Sequence, residues 1–274
     1  LLLGDGVKED YEEALQWCQK AAKQDDVSAK TNLGYMYLQG LGVAKDTVEA
    51  MRWYREAADQ GYARAQTNLG DMYQEGLGVE KNDAEALKWY RKAALRGDAY
   101  GQILLASAYA NGIGTPTDYQ EAVKWMRMAA RQGDETAQFF LAMAYERGEG
   151  VARDDHEAVY WFEKAAEQSE PDAMYGLAEM IALGRGTNKD PALASQWFKA
   201  AADAGVSHEK MIESYTDSAG EGDAASQYWL GVMYAVGRGI ERDNAKAKEL
   251  LLLADDNGYP AADETLKALG LAPQ

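Results

Sequence analysis

The residue types that most often do chemistry in proteins are few in this chain and widely separated. The sequence of 274 residues contains two histidines, His156 and His208, and one cysteine, Cys18. Neither histidine lies near a His, Cys, Asp and Glu arrangement with the spacing of metal ligands. A single cysteine excludes an intrachain disulfide and a thiolate metal cluster. We therefore expect no metal site, no cofactor and no catalytic residue.

Motifs for catalysis and nucleotide binding are also absent from the sequence. There is no G-x-S-x-G nucleophile motif, no P-loop and no dinucleotide-binding fingerprint. Gly-x-Gly pairs such as Gly76-x-Gly78 recur with a fixed period, so they mark turns. Carboxylates are abundant, but they fall mainly at helix starts and on exposed faces. A catalytic pair of carboxylates that only the fold brings together is not visible in the sequence. We predict that the protein is not an enzyme.

The formal net charge of −17 limits the classes of partner. Such a field repels nucleic-acid backbones, and no Lys/Arg cluster offsets it. Membrane insertion is not expected, because no apolar run reaches the length of a spanning helix. A basic or mixed-charge protein surface is what this field attracts. The simpler alternative is that the charge only keeps the protein soluble.

Six tryptophans reveal an internal repeat, because each step from one to the next is 36 residues. Within each copy, apolar residues recur at i, i+3, i+4 and i+7, which is helix spacing. Each repeat is therefore two helices, A and B, joined by a glycine-rich turn. We expect the tryptophans to form the structural core: Trp17, Trp53, Trp89, Trp125, Trp161 and Trp197.

The ends of the predicted helices carry their own signals. Helix A is predicted to end at a left-handed glycine, namely Gly40, Gly76, Gly112, Gly148, Gly184 and Gly237. Helix B is predicted to begin at an N-cap, namely Asp10, Asp46, Asn82, Asp118, Asp154, Asp190 and Asp243. A glutamate follows the first five caps at the spacing of a capping box.

The repeated residues read Ala65-Gln66-x-x-Leu69-Gly70-x-Met72-Tyr73, then Gly76-x-Gly78-Val79, then Ala86-x-x-Trp89-Tyr90-x-x-Ala93-Ala94. This pattern resembles the Sel-1-like repeat (SLR) family, which is related to tetratricopeptide repeats, over nearly the whole chain. The regular cysteine pairs of some members are missing. The resemblance implies a right-handed α/α superhelical solenoid whose concave groove is lined largely by A helices. It also implies adaptor or scaffold work, and it favours a bacterial periplasmic or secreted protein over a cytoplasmic one.

We expect a single solenoid domain over residues 1–274, with an irregularity near its C-terminal end. Between Val206 and Gly222 lie 17 extra residues, in which Met211, Ile212 and Tyr215 have helical spacing. They predict an additional helix that bends the superhelix, and a harmless insertion is the alternative. The predicted divisions are a partial repeat at 1–25, which begins inside a repeat, full repeats at 26–61, 62–97, 98–133, 134–169, 170–205 and 223–258, a helical insertion at 206–222 and a capping helix at 259–274.

One face of the A helices is predicted to point away from the core. Positions equivalent to 67, 68 and 71 are polar in the first repeats and aromatic or aliphatic in the later ones. Exposed aromatic clusters mark contact sites, and packing against the adjacent repeat is the alternative explanation. The predicted partner-binding residues are Ile103, Leu104, Phe139, Phe140, Met143, Tyr175, Glu179, Tyr228, Trp229 and Val232.

The sequence therefore favours a non-catalytic scaffold or adaptor that binds a protein or peptide partner in the groove. A dedicated inhibitor of the immunity type, which blocks one toxin or enzyme, is the alternative. An inhibitor binds one enzyme tightly and abolishes its activity, whereas an adaptor bridges two partners or presents a short peptide. The partner's identity and the oligomeric state stay open, since repeat folds serve many unrelated partners.

Overall fold

The computed structural model describes residues 10–205, 208–237 and 239–272 of the chain. Within these ranges it contains fifteen α-helices and no strand, which confirms the predicted all-α class. The helices are α1 (Tyr11–Ala22), α2 (Val27–Gln39), α3 (Thr47–Asp59), α4 (Ala63–Glu75), α5 (Asp83–Leu95), α6 (Ala99–Asn111), α7 (Tyr119–Arg131), α8 (Glu135–Arg147), α9 (Asp155–Ala166), α10 (Pro171–Leu183), α11 (Pro191–Asp203), α12 (His208–Gly220), α13 (Ala224–Val236), α14 (Asn244–Asp256) and α15 (Ala262–Ala268).

The chain divides into two compact units, residues 1–132 and residues 133–274. The first unit contains α1–α7 and the second contains α8–α15. Within each unit, A helices and B helices that follow one another in the chain pack together, as α2 does on α3 and α8 does on α9. This is the neighbour-to-neighbour packing of a helical repeat protein. The single domain over residues 1–274 stays a prediction.

Each B helix of a full repeat begins at the residue predicted to cap it. In α3, Oδ1 of Asp46 accepts hydrogen bonds from the backbone N–H groups of Val48 and Glu49, both at 3.0 Å. These bonds satisfy N–H groups that have no partner within the helix. The same kind of bond is made by Asp10, Asn82, Asp118, Asp154, Asp190 and Asp243.

The second half of the expected capping box is replaced by a different contact. In a capping box the glutamate accepts a bond from the backbone N–H of the cap residue. Here that N–H donates to the preceding A helix instead, as Asn82 does to the carbonyl of Tyr73 at 2.8 Å. The glutamate then accepts from the indole of a tryptophan, with 3.0 Å between Trp161 Nε1 and Glu157 Oε2. In α1, α7 and α9 this glutamate therefore orients the tryptophan of its own helix.

Each of the six predicted glycines ends an A helix in the left-handed conformation. Their φ angles lie between 70° and 76°. The second glycine of each turn is needed for a different reason, which Gly42 illustrates. A Cβ on Gly42 would lie 2.3 Å from the carbonyl oxygen of Tyr11 in α1. The turn therefore lies directly against the preceding B helix, which keeps successive repeats in register.

The tryptophans differ in how far they are buried. Trp89, Trp125 and Trp161 are buried, whereas Trp53 and Trp197 are half-buried. Trp17 is 56% exposed, so the prediction of a core position is wrong for this residue. Trp17 lies on α1, the first described helix, and none of the described helices covers that face. Its ring is instead contacted by Lys20, whose Nζ is 4.3 Å from the ring centroid.

Helix α12 lies in the irregular segment and takes the place of a B helix. It packs on α13 as α9 packs on α10, so two B-type helices, α11 and α12, follow one another. After α12 the chain returns to the beginning of its own unit. Arg153, between α8 and α9, donates to the carbonyl of Pro260 at 2.7 Å and to Glu264 Oε2 at 2.9 Å. In a regular solenoid each repeat contacts only its neighbours, whereas these bonds join parts of the unit that are several repeats apart, with α12 between them.

Candidate functional site

Five of the ten predicted partner-binding residues meet at one pocket in the second unit. The pocket has a volume of about 220 Å³ and is bordered by α8, α9, α10, α12 and α13. The five residues are Phe139, Met143, Tyr175, Glu179 and Trp229. A concave site with mostly apolar lining and a few polar groups is typical of a binding site.

Helical spacing explains how α8 and α10 present these side chains. Phe139, Met143 and Glu146 lie four and three residues apart along α8, so they share one face of that helix. On α10, Tyr175 and Glu179 are four residues apart and also share a face. Gly176 between them admits the ring of a neighbour, since a Cβ there would lie 2.7 Å from Phe162. The pocket is thus lined by two parallel rows of side chains and a ring that reaches in from α9.

Three other predicted contact residues lie outside this pocket and retain exposed surface. Phe140 is 47% exposed on α8, and its ring centroid lies 5.3 Å from that of Phe139. Ile103 and Leu104 are half-buried on α6, in the first unit. Phe140 therefore extends the aromatic surface beside the pocket.

The prediction is wrong for Tyr228 and Val232, because both side chains are fully buried. The ring of Tyr228 stacks on that of Tyr259, with 4.4 Å between the centroids. Val232 belongs to the same core cluster, which also includes Leu251 and Leu266. Tyr259 follows Tyr228 by 31 residues, as Asp98 follows Thr67, so Tyr228 packs against the next repeat, which was the alternative explanation.

The first unit presents a polar A-helix surface. Arg64, Asn68 and Tyr100 line a shallow groove between the beginnings of α4 and α6. Thr67 borders this groove, but it is 1% exposed, and its Oγ1 donates to Asp98 Oδ2 at 3.1 Å. Position 67 therefore packs between repeats, which was the alternative explanation for that position.

A buried network of charges adjoins the pocket of the second unit. Glu146 lines the pocket, is 1% exposed, and its Oε1 lies 2.9 Å from Nη1 of Arg185. The same nitrogen donates to Tyr228 Oη at 2.7 Å, and the rest of the guanidinium donates to Asp155 at 3.0 and 3.2 Å. Tyr228 Oη lies 3.0 Å from Thr265 Oγ1. Arg185, in the turn after α10, thus connects α8, the start of α9 and α13. Through Tyr228 and Thr265, α13 also contacts α15.

The two acids of this network have pKa values shifted in opposite directions. Burial raises the pKa of Glu146, although Arg185 and Arg147 act to lower it. Burial also acts to raise the pKa of Asp155, but hydrogen bonds from Arg153 and Arg185 outweigh it and lower that pKa. Asp155 is therefore the firmly ionised partner of both arginines. Burial raises the pKa of Tyr228 to about 12, so its hydroxyl stays protonated.

Side chains suited to catalysis are not grouped together in the described part of the chain. No set of three or more His, Cys, Asp and Glu residues there could hold a metal ion. His156 is exposed at the start of α9, and the side chain of His208 lies outside the described residues. Burial, together with the charge of Asp26, raises the pKa of the Cys18 thiol. A raised pKa is the opposite of what a nucleophilic cysteine requires.

A comparison with protein-family models decides the family. The Sel1 repeat model matches residues 1–26, 27–62, 63–98, 99–134, 136–170, 171–206 and 224–259. The chain belongs to the Sel1 repeat family. The stretch between the sixth and seventh Sel1 repeats is left unmatched, and this is where α12 lies.

Solved structures of other Sel1 repeat proteins are similar to this chain. A Sel1 repeat protein from Oxalobacter formigenes is 34% identical with a TM-score of 0.67, over 89% of this chain and 91% of that chain. A protective antigen of uropathogenic Escherichia coli with an SLR fold is 31% identical with a TM-score of 0.48, over 100% of this chain and 71% of that chain. An immunity protein from Pseudomonas aeruginosa, PA5088, is 22% identical with a TM-score of 0.45, over 73% and 77%. No curated protein matches the chain.

The buried network was not predicted from the sequence, because Arg185 stands at a position that varies between the turns. The residue between the two glycines is apolar at Leu41, Leu77 and Ile113 but charged at Glu149, Arg185 and Arg238. A charge at this position therefore does not by itself indicate a buried partner. The missed residues are Glu146, Asp155, Arg185 and Thr265.

The negative charge of this Sel1 protein is concentrated in the second unit. Residues 133–274 contain 26 Asp and Glu and 12 Lys and Arg, which gives a net charge of −14. Residues 1–132 contain 19 Asp and Glu and 16 Lys and Arg, which gives a net charge of −3. Asp172, at the exposed edge of the pocket, belongs to this surplus. Burial raises the pKa of the nearby Glu170, and the charges of Asp172 and Glu135 raise it further. Acidic groups therefore cluster where α8 and α10 begin. None of the described helices combines the length and apolar character needed to cross a membrane.

Proposed function

We propose that this Sel1 repeat protein is a non-catalytic scaffold that binds a protein or peptide partner on the A helices of its second unit. Sel1 repeats typically provide protein-interaction surfaces. The observation that carries the proposal is the pocket between α8, α10, α12 and α13, which lies beside the exposed ring of Phe140. An exposed aromatic residue next to a pocket is a common anchor of protein interfaces.

The charge of the second unit supports a basic partner. A net charge of −14 attracts a positive surface and accelerates its encounter with the protein. The first unit, with a net charge of −3, contributes little to this field. The proposed partner therefore presents a basic region to the second unit.

The proposal is tested by capture of partners from source cells with two matched variants. Phe140 on the A helix α8 and Tyr160 on the B helix α9 are 47% and 48% exposed, so their loss removes similar apolar surface. We expect a partner held by the parent protein to be retained by Tyr160→Ala and lost with Phe140→Ala. The affinity for the purified partner falls about tenfold or more in Phe140→Ala, as for an interface anchor.

The reverse result, loss with Tyr160→Ala and retention with Phe140→Ala, would place the contact on the B helices and contradict the proposal. The captured protein also separates the adaptor from the alternative function, that of a dedicated inhibitor. An enzyme whose activity stops when one equivalent of the Sel1 protein is added identifies an inhibitor. Two different proteins held at the same time identify an adaptor.

A further inference from the structure

Aromatic rings from five helices line the pocket of the second unit. Phe139, Phe162, Tyr175, Tyr215 and Trp229 belong to α8, α9, α10, α12 and α13 in that order. The face of an aromatic ring carries negative potential, and it attracts a cation placed within about 6 Å of the ring centroid. An apolar group would also fit such a lining, so the charged residues of the pocket determine which ligand it prefers.

Carboxylates outnumber cations in this lining. Glu146 and Glu179 are buried among the rings, and Asp172 lies at the exposed edge. Arg147 is the one basic residue among those that line the pocket in the described part of the chain. Since the surrounding unit has a net charge of −14, the pocket favours a positive group.

One carboxylate oxygen beside the pocket has an unused capacity to accept hydrogen bonds. Oε1 of Glu146 is bound by Arg185, whereas its Oε2 is buried and accepts no bond within the described residues. A buried oxygen without a donor destabilises the protein, and a donor that carries positive charge is its strongest partner. The ammonium group of lysine and the guanidinium group of arginine both provide such donors.

We infer that this pocket receives the side chain of a lysine or arginine from the protein partner. The inference rests on the proposed function, because it names the chemistry that the partner presents to the second unit. A volume of about 220 Å³ suits one long side chain and excludes a folded element. The aromatic rings contact the aliphatic stem, and Glu146 and Glu179 bind the charged end.

The inference is tested with the full chain and three blocked tripeptides. Acetyl-Gly-Lys-Gly-amide and acetyl-Gly-Arg-Gly-amide carry the two candidate side chains, and acetyl-Gly-norleucine-Gly-amide is a neutral analogue of the lysine peptide. The indole ¹H–¹⁵N resonance of Trp229 reports on the pocket, and its absence from Trp229→Phe assigns it. We expect this resonance to shift with the lysine and arginine peptides and not with the norleucine peptide. The tighter of the two basic peptides identifies the preferred side chain.

Charge-removing variants show whether the carboxylates of the pocket bind the peptide. Glu179→Gln keeps the shape of a pocket residue, and Glu163→Gln makes the same change at an exposed position of α9. We expect the affinity for the better basic peptide to fall about tenfold in Glu179→Gln and less than about twofold in Glu163→Gln. Asp172→Asn, at the exposed edge, provides a second variant that leaves the buried residues intact, and we expect it to weaken binding about threefold.

Equal shifts with the norleucine peptide, or equal affinities of Glu179→Gln and Glu163→Gln, would overturn the inference. Either result leaves the proposed scaffold function in place if Phe140→Ala still loses its captured partner. If the basic peptides bind as expected but Phe140→Ala retains every partner, the pocket is a cation site and the scaffold proposal fails. The two failures are therefore distinguishable.

Discussion

Arg185 shows how one residue connects distant parts of the second unit. It is 2% exposed and contacts Glu146, Asp155 and Tyr228. A buried ion pair contributes little by itself, because desolvation of the charges offsets their attraction. Removal of one partner is different, since the remaining charges stay buried without compensation. The stability of the second unit therefore depends on the whole set being present.

We predict that Arg185→Leu destabilises the second unit, although leucine stands at this position in other turns. The expected loss is about 3–5 kcal/mol in the free energy of unfolding, because Glu146 and Asp155 lose their buried cation. Urea unfolding measures the change, with Lys189→Leu, an exposed position in the same turn, as control. Equal stability of the two variants would show that Arg185 is replaceable by an apolar side chain.

Asp155 makes the stability of the second unit depend on pH. Its pKa is below the ordinary value of 3.8 in the folded protein, so the unfolded chain takes up the proton first as the pH falls. The resulting stabilisation is fully present above about pH 3.8, and it is lost as the pH falls through the pKa that Asp155 has in the folded protein. We therefore predict that the parent loses more unfolding free energy than Asp155→Asn between about pH 5 and pH 2. Urea midpoints across this range measure the difference, and parallel curves would contradict it.

At the scale of helices, two positions twenty residues apart pack against each other. Gly34 faces Tyr54 and Gly70 faces Tyr90, where a Cβ on Gly70 would lie 2.4 Å from Tyr90 Cε1. The later repeats have Ala106 with Met126, Ala142 with Phe162 and Ala178 with Phe198 at these positions, so glycine on the A helix accompanies tyrosine in only two of these repeats. The repeats thus contain alternative solutions to the same packing problem, since the space between the helices is limited.

We predict that Gly70→Ala destabilises the first unit by about 1–3 kcal/mol, because the new methyl group overlaps the ring of Tyr90. We expect Gly70→Ala to lower the free energy of unfolding less in a Tyr90→Met background, because the two changes together reproduce the pair Ala106 and Met126. Urea unfolding of the four proteins in this double-mutant cycle measures the coupling. If Gly70→Ala costs the same in both backgrounds, the ring contact is not the reason for the glycine.

At the scale of the second unit, the extra half repeat, α12, lies between two segments that contact each other. Without α12, the B helix α11 would be followed directly by the A helix α13, as in the regular repeats. With α12 present, Pro260 and Glu264 reach Arg153. The same arrangement brings Tyr215 and Trp229 to the pocket. The pocket therefore depends on the irregular segment.

We predict that deletion of residues 206–222 separates Arg153 from Glu264. Cysteines at these two positions, in a Cys18→Ser background, should be joined by a short bismaleimide in the full chain, where Nη2 and Oε2 of the native residues are 2.9 Å apart. The deletion variant should not form this cross-link, because a regular repeat directs α15 away from α9. Equal cross-linking of both proteins would show that α12 is not the cause of the return.

The sequence by itself determined the 36-residue repeat and the helix ends. These features depend on residues within one repeat: Asp46 caps the helix that it begins, and Gly40 ends the helix before it. It also identified five residues that line the pocket. Only the tertiary structure decided that Tyr228 is buried, that Trp17 is exposed and that Arg185 lies at the centre of a charge network. The burial of Tyr228 and the network of Arg185 depend on residues that are far apart in the chain, such as Tyr259 and Glu146. Local periodicity does not specify what covers a helix face.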